Sequence, residues 1–221
     1  MGKENLVVFT DGSCSRNVKV GAIGGIGIHF PDKELTDVSK IFEKGGCTNQ
    51  RTELYAILQA LKYINARLGL SKYRVFVKTD SMYSINCITN WVDNWIINGW
   101  KTKTGTQVAN RELIEEIHKY YKKYTIIFEH IEAHNNLTDY DSIGNEIADS
   151  LANKATKKAI SRSLSKYPKK IYKTDGSRLS KSPSYQHNGS KSARKTPVRD
   201  RKIATKNYPN EIIVELISAN K

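Results

Sequence analysis

Four acidic residues of this chain lie in separate short motifs and could share one site. They are Asp11 in TDGS, Glu53 in NQRTEL, Asp80 in KTDS and Asp149 in GNEIADSLA. Asp11 and Asp80 each end an apolar strand pattern, so we expect them at the rim of a sheet, where ligands can reach them. Glu53 and Asp149 fall near the starts of helical stretches. Carboxylates that converge in this way would repel one another, and divalent cations such as Mg²⁺ would compensate their charge.

Each acid also has a purely structural interpretation. Asp11 could be a turn residue, Glu53 a charge in the first turn of a helix, Asp80 a helix N-cap and Asp149 a solvated helix position. One such motif alone is weak evidence, because DGS or TDS occurs by chance in many surface turns. Four motifs that place acids on compatible elements favour a shared site over four coincidences.

In order and context these motifs resemble the cellular type 1 ribonuclease H family, over about residues 5 to 157. Further matches lie between the acids: TNQRTE, TDSMYSINCITNW, NGWKTKTG and IGNEIADSLA. Members of this family cleave the RNA strand of RNA/DNA hybrids. The resemblance implies a two-metal endonuclease that uses Mg²⁺, with Mn²⁺ as an alternative, and leaves 5′-phosphate and 3′-hydroxyl ends. It assigns metal binding and catalysis to Asp11, Glu53, Asp80 and Asp149.

The resemblance also implies a mobile histidine that helps to move a proton or to release product. His134, in FEHIEAHNN just past the last predicted strand, matches it. His130 is the rival, but it lies inside the strand pattern, where a packed or edge histidine is the ordinary interpretation. We therefore prefer His134. Fifteen positions separate it from Asp149, more than the family usually shows, and the stretch NNLTDYDS lengthens the loop between them.

Nucleic-acid contacts are likewise implied by the resemblance. The 2′-hydroxyl groups that distinguish RNA from DNA both donate and accept hydrogen bonds, so amides are suitable readers. The RNA strand is assigned to Asn17, Asn49 and Gln50, although Asn17 could be turn chemistry and Asn49 a helix cap. Contacts to the DNA strand are assigned to a phosphate pocket with Thr48 and Asn110 and to an aromatic platform with Trp91. Trp100 is expected in the core.

Two features of the sequence predict weaker binding of the DNA strand than is usual for the family. The phosphate pocket has Gly46 where eukaryotic relatives commonly carry arginine. The stretch that forms the family's basic protrusion contains Asp93, Ile96 and Ile97 where lysines are frequent.

Positive charge is concentrated at the C-terminal end of the chain. Residues 1–156 contain 19 Lys/Arg against 18 Asp/Glu, whereas residues 157–221 contain 17 against 4. We expect a catalytic domain over residues 1–157 and a disordered basic tail over residues 158–221. The tail could bind hybrid non-specifically, could be a passive or nuclear-import segment, and ends in the apolar EIIVELIS, which could dock on this domain or on a protein partner.

Cysteine usage and hydropathy bear on the compartment. Cys14, Cys47 and Cys87 lack metal-ligand spacing, and their odd number favours free thiols in a reducing environment. The chain shows neither a bilayer-length apolar run nor a signal h-region. We expect an intracellular monomer, in the cytoplasm or the nucleus, that binds RNA/DNA hybrid and no membrane.

The elements that position the acids follow from periodicity. Strands are predicted over residues 5–10, 20–30, 35–44, 73–78 and 125–132, the first three as an antiparallel meander. Helices are predicted from Gln50 to before Gly69, around Ile85 and Ile88, and over 107–123 and 142–157. Helix–strand alternation after the meander implies parallel crossovers. These elements match the fold that the resemblance implies, which is α/β and RNase H-like: a five-stranded mixed sheet with helices on both faces.

Two other functions fit part of this pattern. A resolvase-like or integrase-like DNA nuclease of the same fold would keep the acids but would need no 2′-hydroxyl readers. A non-catalytic nucleic-acid-binding module fits the intact acidic quartet poorly. Replication, through removal of primers or resolution of hybrids, is the process expected for the first interpretation.

Overall fold

The computed structural model describes residues 2–17, 21–132 and 138–165, which all lie in a compact unit, Met1–Ile171. The strands are β1 (Glu4–Asn17), β2 (Gly21–His29), β3 (Val38–Ile41), β4 (Tyr73–Thr79) and β5 (Ile126–His130). The α-helices are α1 (Asn49–Arg67), α2 (Met82–Asn86), α3 (Val92–Ile97), α4 (Arg111–Lys123) and α5 (Tyr140–Leu164), with a 3₁₀ turn at Leu70–Lys72 and a π turn at Cys87–Trp91. None of the helices within these ranges is long and apolar enough to cross a membrane.

The strands form one mixed sheet in the order β3-β2-β1-β4-β5. β1, β2 and β3 pair antiparallel, whereas β4 pairs parallel with both β1 and β5. The predicted meander, the parallel crossovers and the five-stranded mixed sheet are therefore confirmed.

Helices cover both faces of the sheet, because β1 alternates its apolar residues between them. Leu6 and Val8 belong to the main core together with α1, while Phe9 packs with Ala148 of α5 in a second cluster. The glycines of β2 allow α5 to approach closely: a Cβ atom at Gly27 would lie 1.9 Å from the Ala148 carbonyl oxygen. This contact explains the Gly-rich sequence of β2.

Several element boundaries differ from those predicted. β1 continues to Asn17 because its antiparallel pairing with β2 extends that far, and β3 is shorter than residues 35–44. Helix α5 begins at Tyr140, where Asp139 caps it, and continues to Leu164. The predicted helix over residues 142–157 is therefore too short, since residues 158–164 are also helical and Ala159 is buried. The tail from residue 166 onward lies outside the described residues.

Candidate active site

Three of the four predicted acids converge at one end of the sheet. Asp11 lies on β1 just beyond Phe9, where the parallel pairing of β1 with β4 ends, and Asp80 directly follows β4. Glu53 lies in α1. A Cβ atom at Gly12 would lie only 2.3 Å from the Glu53 backbone nitrogen, so the glycine lets α1 approach β1 and brings Glu53 to Asp11.

The carboxylates of Asp11, Glu53 and Asp80 are close enough to hold one ion. One oxygen from each lies within 4.8 Å of the others, and Asp11 is only 6% exposed. Two structural alternatives are wrong: Asp11 lies within a strand and not in a turn, and Ser81, not Asp80, caps α2. These acids therefore form one cluster and are not separate surface features.

Burial and neighbouring carboxylates raise the pKa values of Asp11 and Glu53. Burial, followed by the charges of Asp80 and Asp149, raises the pKa of Asp11 to about 6. Burial and the charges of Asp11 and Asp80 raise the pKa of Glu53 well above its usual value. The carboxyls of Asp11 and Glu53 hydrogen-bond to each other, so they titrate as a pair.

The donor set fits a hard divalent cation. Glu53 Oε2 is buried and has no hydrogen-bond partner within the described residues, although a buried carboxylate oxygen normally has one. The three ligands are all carboxylates, and oxygen ligands are those that Mg²⁺ and Mn²⁺ prefer. A cation here would satisfy the orphaned oxygen and relieve the repulsion at once.

Asp149 lies near this cluster but is not part of the 4.8 Å group. It is well inside α5, not near the start of the helix as predicted, and its charge contributes to the raised pKa of Asp11. Asn153, one turn later, donates from Nδ2 to Asp149 Oδ1 over 2.8 Å and accepts at Oδ1 from Ser13 Oγ over 2.7 Å. Asn153 therefore ties Asp149 to β1. Sequence reasoning missed it, although its i+4 spacing from Asp149 was a usable signal.

The two histidines have different outcomes. His134 lies outside the described residues, so its predicted role stays a prediction. His130 is the last residue of β5 and is exposed, with Nε2 3.2 Å from the backbone oxygen of Asp80. The rival histidine is thus an edge residue, as expected, and it lies beside the acids.

The predicted RNA-strand residues lie near the start of α1. Asn49 and Gln50 are its first two residues, and both are exposed. They line a cavity of about 480 Å³ together with Cys14, Arg16, Cys47 and Thr48. Thr48, not Asn49, caps the helix, accepting from the Arg51 backbone nitrogen over 3.2 Å. Asn17 ends β1, and its side chain lies outside the described residues.

The predicted phosphate-pocket residues Thr48 and Asn110 are linked through Arg51. The Arg51 guanidinium donates to Asn110 Oδ1 over 3.1 Å and to the Gly45 carbonyl over 3.2 Å, and it also pairs with Glu112. Gly46 has a φ of 58°, a left-handed conformation that glycine adopts without strain. The left-handed backbone at this position therefore favours glycine.

The tryptophans divide as predicted between surface and core. Trp91 is 39% exposed and Trp100 is 5% exposed. Trp91 ends the π turn and contacts Tyr83 and Trp95 through its ring. Ile96 and Ile97 of α3 are exposed apolar residues, so the protrusion offers an aromatic and apolar surface.

Similarity to known proteins agrees with this geometry. The RNase H family model matches residues 3–157. The chain is 48% identical over 206 residues to a probable ribonuclease H of Acanthamoeba polyphaga mimivirus, covering 91% of this chain and 87% of that protein. Because that alignment covers so much of the chain, the likeness extends beyond residue 157 into the basic region.

A more distant relative and a solved structure match the catalytic unit. The chain is 38% identical over 156 residues to ribonuclease H1 of Rattus norvegicus, covering 71% of this chain and 52% of that protein, so it spans about half the length of that relative. A solution structure of the PFV RNase H domain superimposes with a TM-score of 0.56 and 25% identity, covering 71% of this chain and 96% of that domain. The chain belongs to the RNase H family, of the type 1 group to which its sequence motifs are similar.

Proposed function

We propose that this protein is a metal-dependent endoribonuclease that hydrolyses the RNA strand of RNA/DNA hybrids and leaves 5′-phosphate and 3′-hydroxyl ends. One observation carries the proposal: in this member of the RNase H family, carboxylate oxygens of Asp11, Glu53 and Asp80 lie within 4.8 Å of one another. One buried oxygen of this cluster has no hydrogen-bond partner within the described residues. That arrangement is costly for folding alone, since like charges in one pocket raise each other's pKa. Its value must come from a ligand.

Asp11, Glu53, Asp80 and Asp149 are the residues that would hold two Mg²⁺ ions, or Mn²⁺ in their place. When bound, the ions supply positive charge to the scissile phosphate and acidify the attacking water. The chain contributes positioning. Gly12 sets the distance between α1 and β1, and Asn153 holds the Asp149 carboxylate by a hydrogen bond. His134 is proposed to move a proton, with His130 beside Asp80 as the alternative.

The hybrid would lie across the start of α1 and the protrusion. Exposed Asn49 and Gln50 present amides that can both donate to and accept from 2′-hydroxyl groups. Asn17 completes this proposed RNA-strand set. Thr48 and Asn110, joined through Arg51, would contact a DNA-strand phosphate, and the exposed face of Trp91 would contact deoxyribose.

The direct test is cleavage of four substrates of one sequence: RNA/DNA hybrid, duplex RNA, duplex DNA and single-stranded RNA. We expect cleavage of the RNA strand of the hybrid with Mg²⁺ and none with EDTA. The 5′ and 3′ ends of the products are then identified by ligation and by phosphatase treatment. Cleavage of duplex DNA would instead indicate a resolvase-like nuclease, and binding without cleavage in any metal would indicate a non-catalytic module.

For the basic region we propose non-specific binding to phosphates by counterion release. Residues 157–221 carry 17 Lys/Arg against 4 Asp/Glu, and each neutralised phosphate adds about 0.9 to the slope of log affinity against log salt on a B-form DNA duplex. Chains with and without residues 166–221, a boundary that keeps α5 intact, would be compared for hybrid affinity at several salt concentrations. Equal slopes would show that the region is a bystander. We also propose that the protein acts as a monomer inside the cell, in a reducing environment. Its substrates would be the RNA/DNA hybrids that arise during replication.

A further inference from the structure

Two of the three free cysteines lie against each other beside the proposed RNA-strand residues. Cys14 lies on β1 and Cys47 lies in the loop just before α1. Their Sγ atoms are 2.7 Å apart, although the residues are separated by 33 positions in the chain. Both side chains are partly exposed, whereas Cys87 is buried elsewhere in the core.

The backbone around the pair is shaped to hold both sulfurs. A Cβ atom at Gly24 of β2 would lie 2.6 Å from Cys47 Sγ, so any other residue there would displace the thiol. Cys14 and Cys47 line the same cavity of about 480 Å³ as Asn49 and Gln50. A small molecule entering this cavity can therefore reach both sulfurs.

A metal site is the less suitable explanation for this pair. Zinc sites in proteins take three or four protein ligands, among them thiolates and imidazoles. Within the described residues, the only group of three His, Cys, Asp or Glu side chains close enough to hold an ion is the acidic cluster, which contains neither cysteine. Two thiols at this distance without a third ligand are instead suited to oxidation.

We propose that Cys14 and Cys47 are a thiol modification site that forms a reversible intramolecular disulfide with low-molecular-weight disulfides. A disulfide has an S–S distance of about 2.05 Å, so the sulfurs need to approach by roughly 0.7 Å. That distance is small enough for the loop before α1 to supply.

The exchange balances without any other oxidant. The Cys14 thiolate attacks one sulfur of the small disulfide, forming a mixed disulfide and releasing one small thiolate. Cys47 then loses its proton to water and attacks the Cys14 sulfur, releasing the second small thiolate. The two cysteines lose two electrons, and the small disulfide is reduced to two thiols. Cys14 is assigned the first attack because burial, together with the hydrogen bond and charge of Cys14, raises the pKa of Cys47 to about 12.

The disulfide would act on substrate binding more than on chemistry, a consequence that rests on the proposed function. Cys47 is two residues before Asn49 and three before Gln50, so pulling it toward β1 shifts the start of α1. Asp11 and Glu53 lie deeper, where Gly12 packs against α1. We expect the KM for RNA/DNA hybrid to rise about threefold or more in the oxidised protein, with kcat changed less than about twofold.

The chemical test uses the full chain incubated with reduced and oxidised glutathione in several ratios. Remaining thiols are alkylated, and the intact mass and the peptides are measured. We expect the loss of two alkylation sites, a cross-linked peptide joining Cys14 to Cys47, and full reversal by dithiothreitol. Mixed glutathione adducts that persist, or a pair that stays fully reduced at every ratio, would overturn the proposed site.

Variants separate the site from its effect. Cys87→Ala should still form the cross-link, whereas Cys14→Ser and Cys47→Ser should not, and each serine variant should show the same KM in oxidised and reduced buffer. If Cys87→Ala does not fold, peptide mapping of the unmodified chain still identifies the pair. A cross-link that leaves KM unchanged would refute the effect on binding, and a cross-link in a protein that cleaves no hybrid would refute the proposed function while leaving the modification site intact.

Discussion

Two charged clusters lie close together in this molecule, and they are built in opposite ways. The acidic cluster joins Asp11, Glu53 and Asp80 and leaves a buried oxygen unpartnered within the described residues. Two positions before Asp80, Lys78 of β4 pairs with Glu129 of β5 over 2.9 Å and with Asp141 of α5 over 2.5 Å. Its ammonium also lies 5.9 Å and 5.8 Å from the rings of Phe9 and Tyr140.

The difference between the clusters appears in their pKa values. Burial and like charges raise the pKa of Asp11 to about 6, which makes its ionised form costly. Burial alone would lower the pKa of Lys78, but hydrogen bonds to Asp141 and Glu129 raise it above its usual value. The lysine cluster is compensated from within and contributes to folding. No Lys, Arg or His among the described residues forms an ion pair with Asp11, Glu53 or Asp80. We therefore expect the charge balance of the acidic cluster to depend on a ligand.

The largest expected effect is on turnover, and it should separate the clusters. Asp80→Asn keeps the shape of the side chain but removes a charge from the proposed metal site, so we expect cleavage of hybrid to fall by more than about 10³-fold. Asp141→Asn is the matched control, since Lys78 keeps Glu129 as a partner. It should retain turnover within about threefold. Steady-state cleavage of hybrid measures the turnover of both variants. Near-normal turnover of Asp80→Asn would show that the acidic cluster is not the catalytic site.

The second expected effect is stabilisation by metal. A ligand that binds only the folded state at 100 times its Kd stabilises it by about 2.7 kcal/mol, which corresponds to roughly 5–10 °C in Tm for a protein of this size. We expect Mg²⁺ to raise the Tm of the unmodified chain and of Asp141→Asn, but to raise that of Asp80→Asn much less. Thermal unfolding with Mg²⁺ against EDTA, at constant ionic strength, provides the measurement. Equal shifts in all three proteins would indicate non-specific ion effects.

The third effect is on stability through the lysine cluster. Lys78→Met keeps an aliphatic chain against Phe9 and Tyr140 but leaves Glu129 and Asp141 without their partner. Those acids are about 40% exposed, so we expect a loss of only about 1–2 kcal/mol. Lys62→Met is the control, because the Lys62–Glu116 pair is 42% exposed on both sides and should cost less than about 0.5 kcal/mol. Urea unfolding measures the loss of stability in both variants. Equal losses would mean that the Lys78 ion pairs contribute no more than an ordinary surface ion pair.

The sequence could predict the acidic cluster because its signals are local. Each acid follows a strand pattern or lies in a helical pattern. The order of the four motifs then indicated the resemblance to the family and its shared acidic site. The antiparallel meander and the parallel crossovers were predictable for the same reason, whereas helices on both faces of the sheet were implied by the resemblance to the family. The helix cap at Thr48 agrees with local residue types, because threonine is a preferred N-cap residue.

What could not be predicted depends on contacts between distant segments. Asp11 lies inside β1 because β2 continues to pair after β4 has ended. Helix α5 extends past residue 157 because Ala155 and Ala159 are buried, with Ala155 against the small Gly25 of β2. The Cys14–Cys47 contact and the Lys78 pairs likewise join residues far apart in the chain. No local pattern marks such pairs before the fold is known.

The smallest expected effect tests the charge deficit itself, through stability without metal at different pH values. The folded protein keeps the Asp11 proton up to a pKa of about 6, whereas the unfolded chain releases it near the usual value of 3.8. Stability should therefore fall as pH rises from about 4 to about 6, and ionisation of Glu53, whose pKa is also raised, should continue the fall. Asp80→Asn removes one of the charges that raise this pKa, so it should lose less stability over the same interval.

The expected result is that Asp80→Asn is more stable than the unmodified chain by about 1 kcal/mol at pH 7 in EDTA, with the difference vanishing near pH 4. Urea unfolding at several pH values measures it. Asp32→Asn, in the exposed turn after β2, controls for the loss of one negative charge in a positively charged protein. The gain in stability of Asp80→Asn could instead be the same at every pH, or equal to that of Asp32→Asn. Either result would show that the substitution does not act by relieving repulsion within the acidic cluster. A gain that grows as pH rises from about 4 to about 6 would tie it to the ionised carboxylates, and so to the charge that the proposed metal ions neutralise.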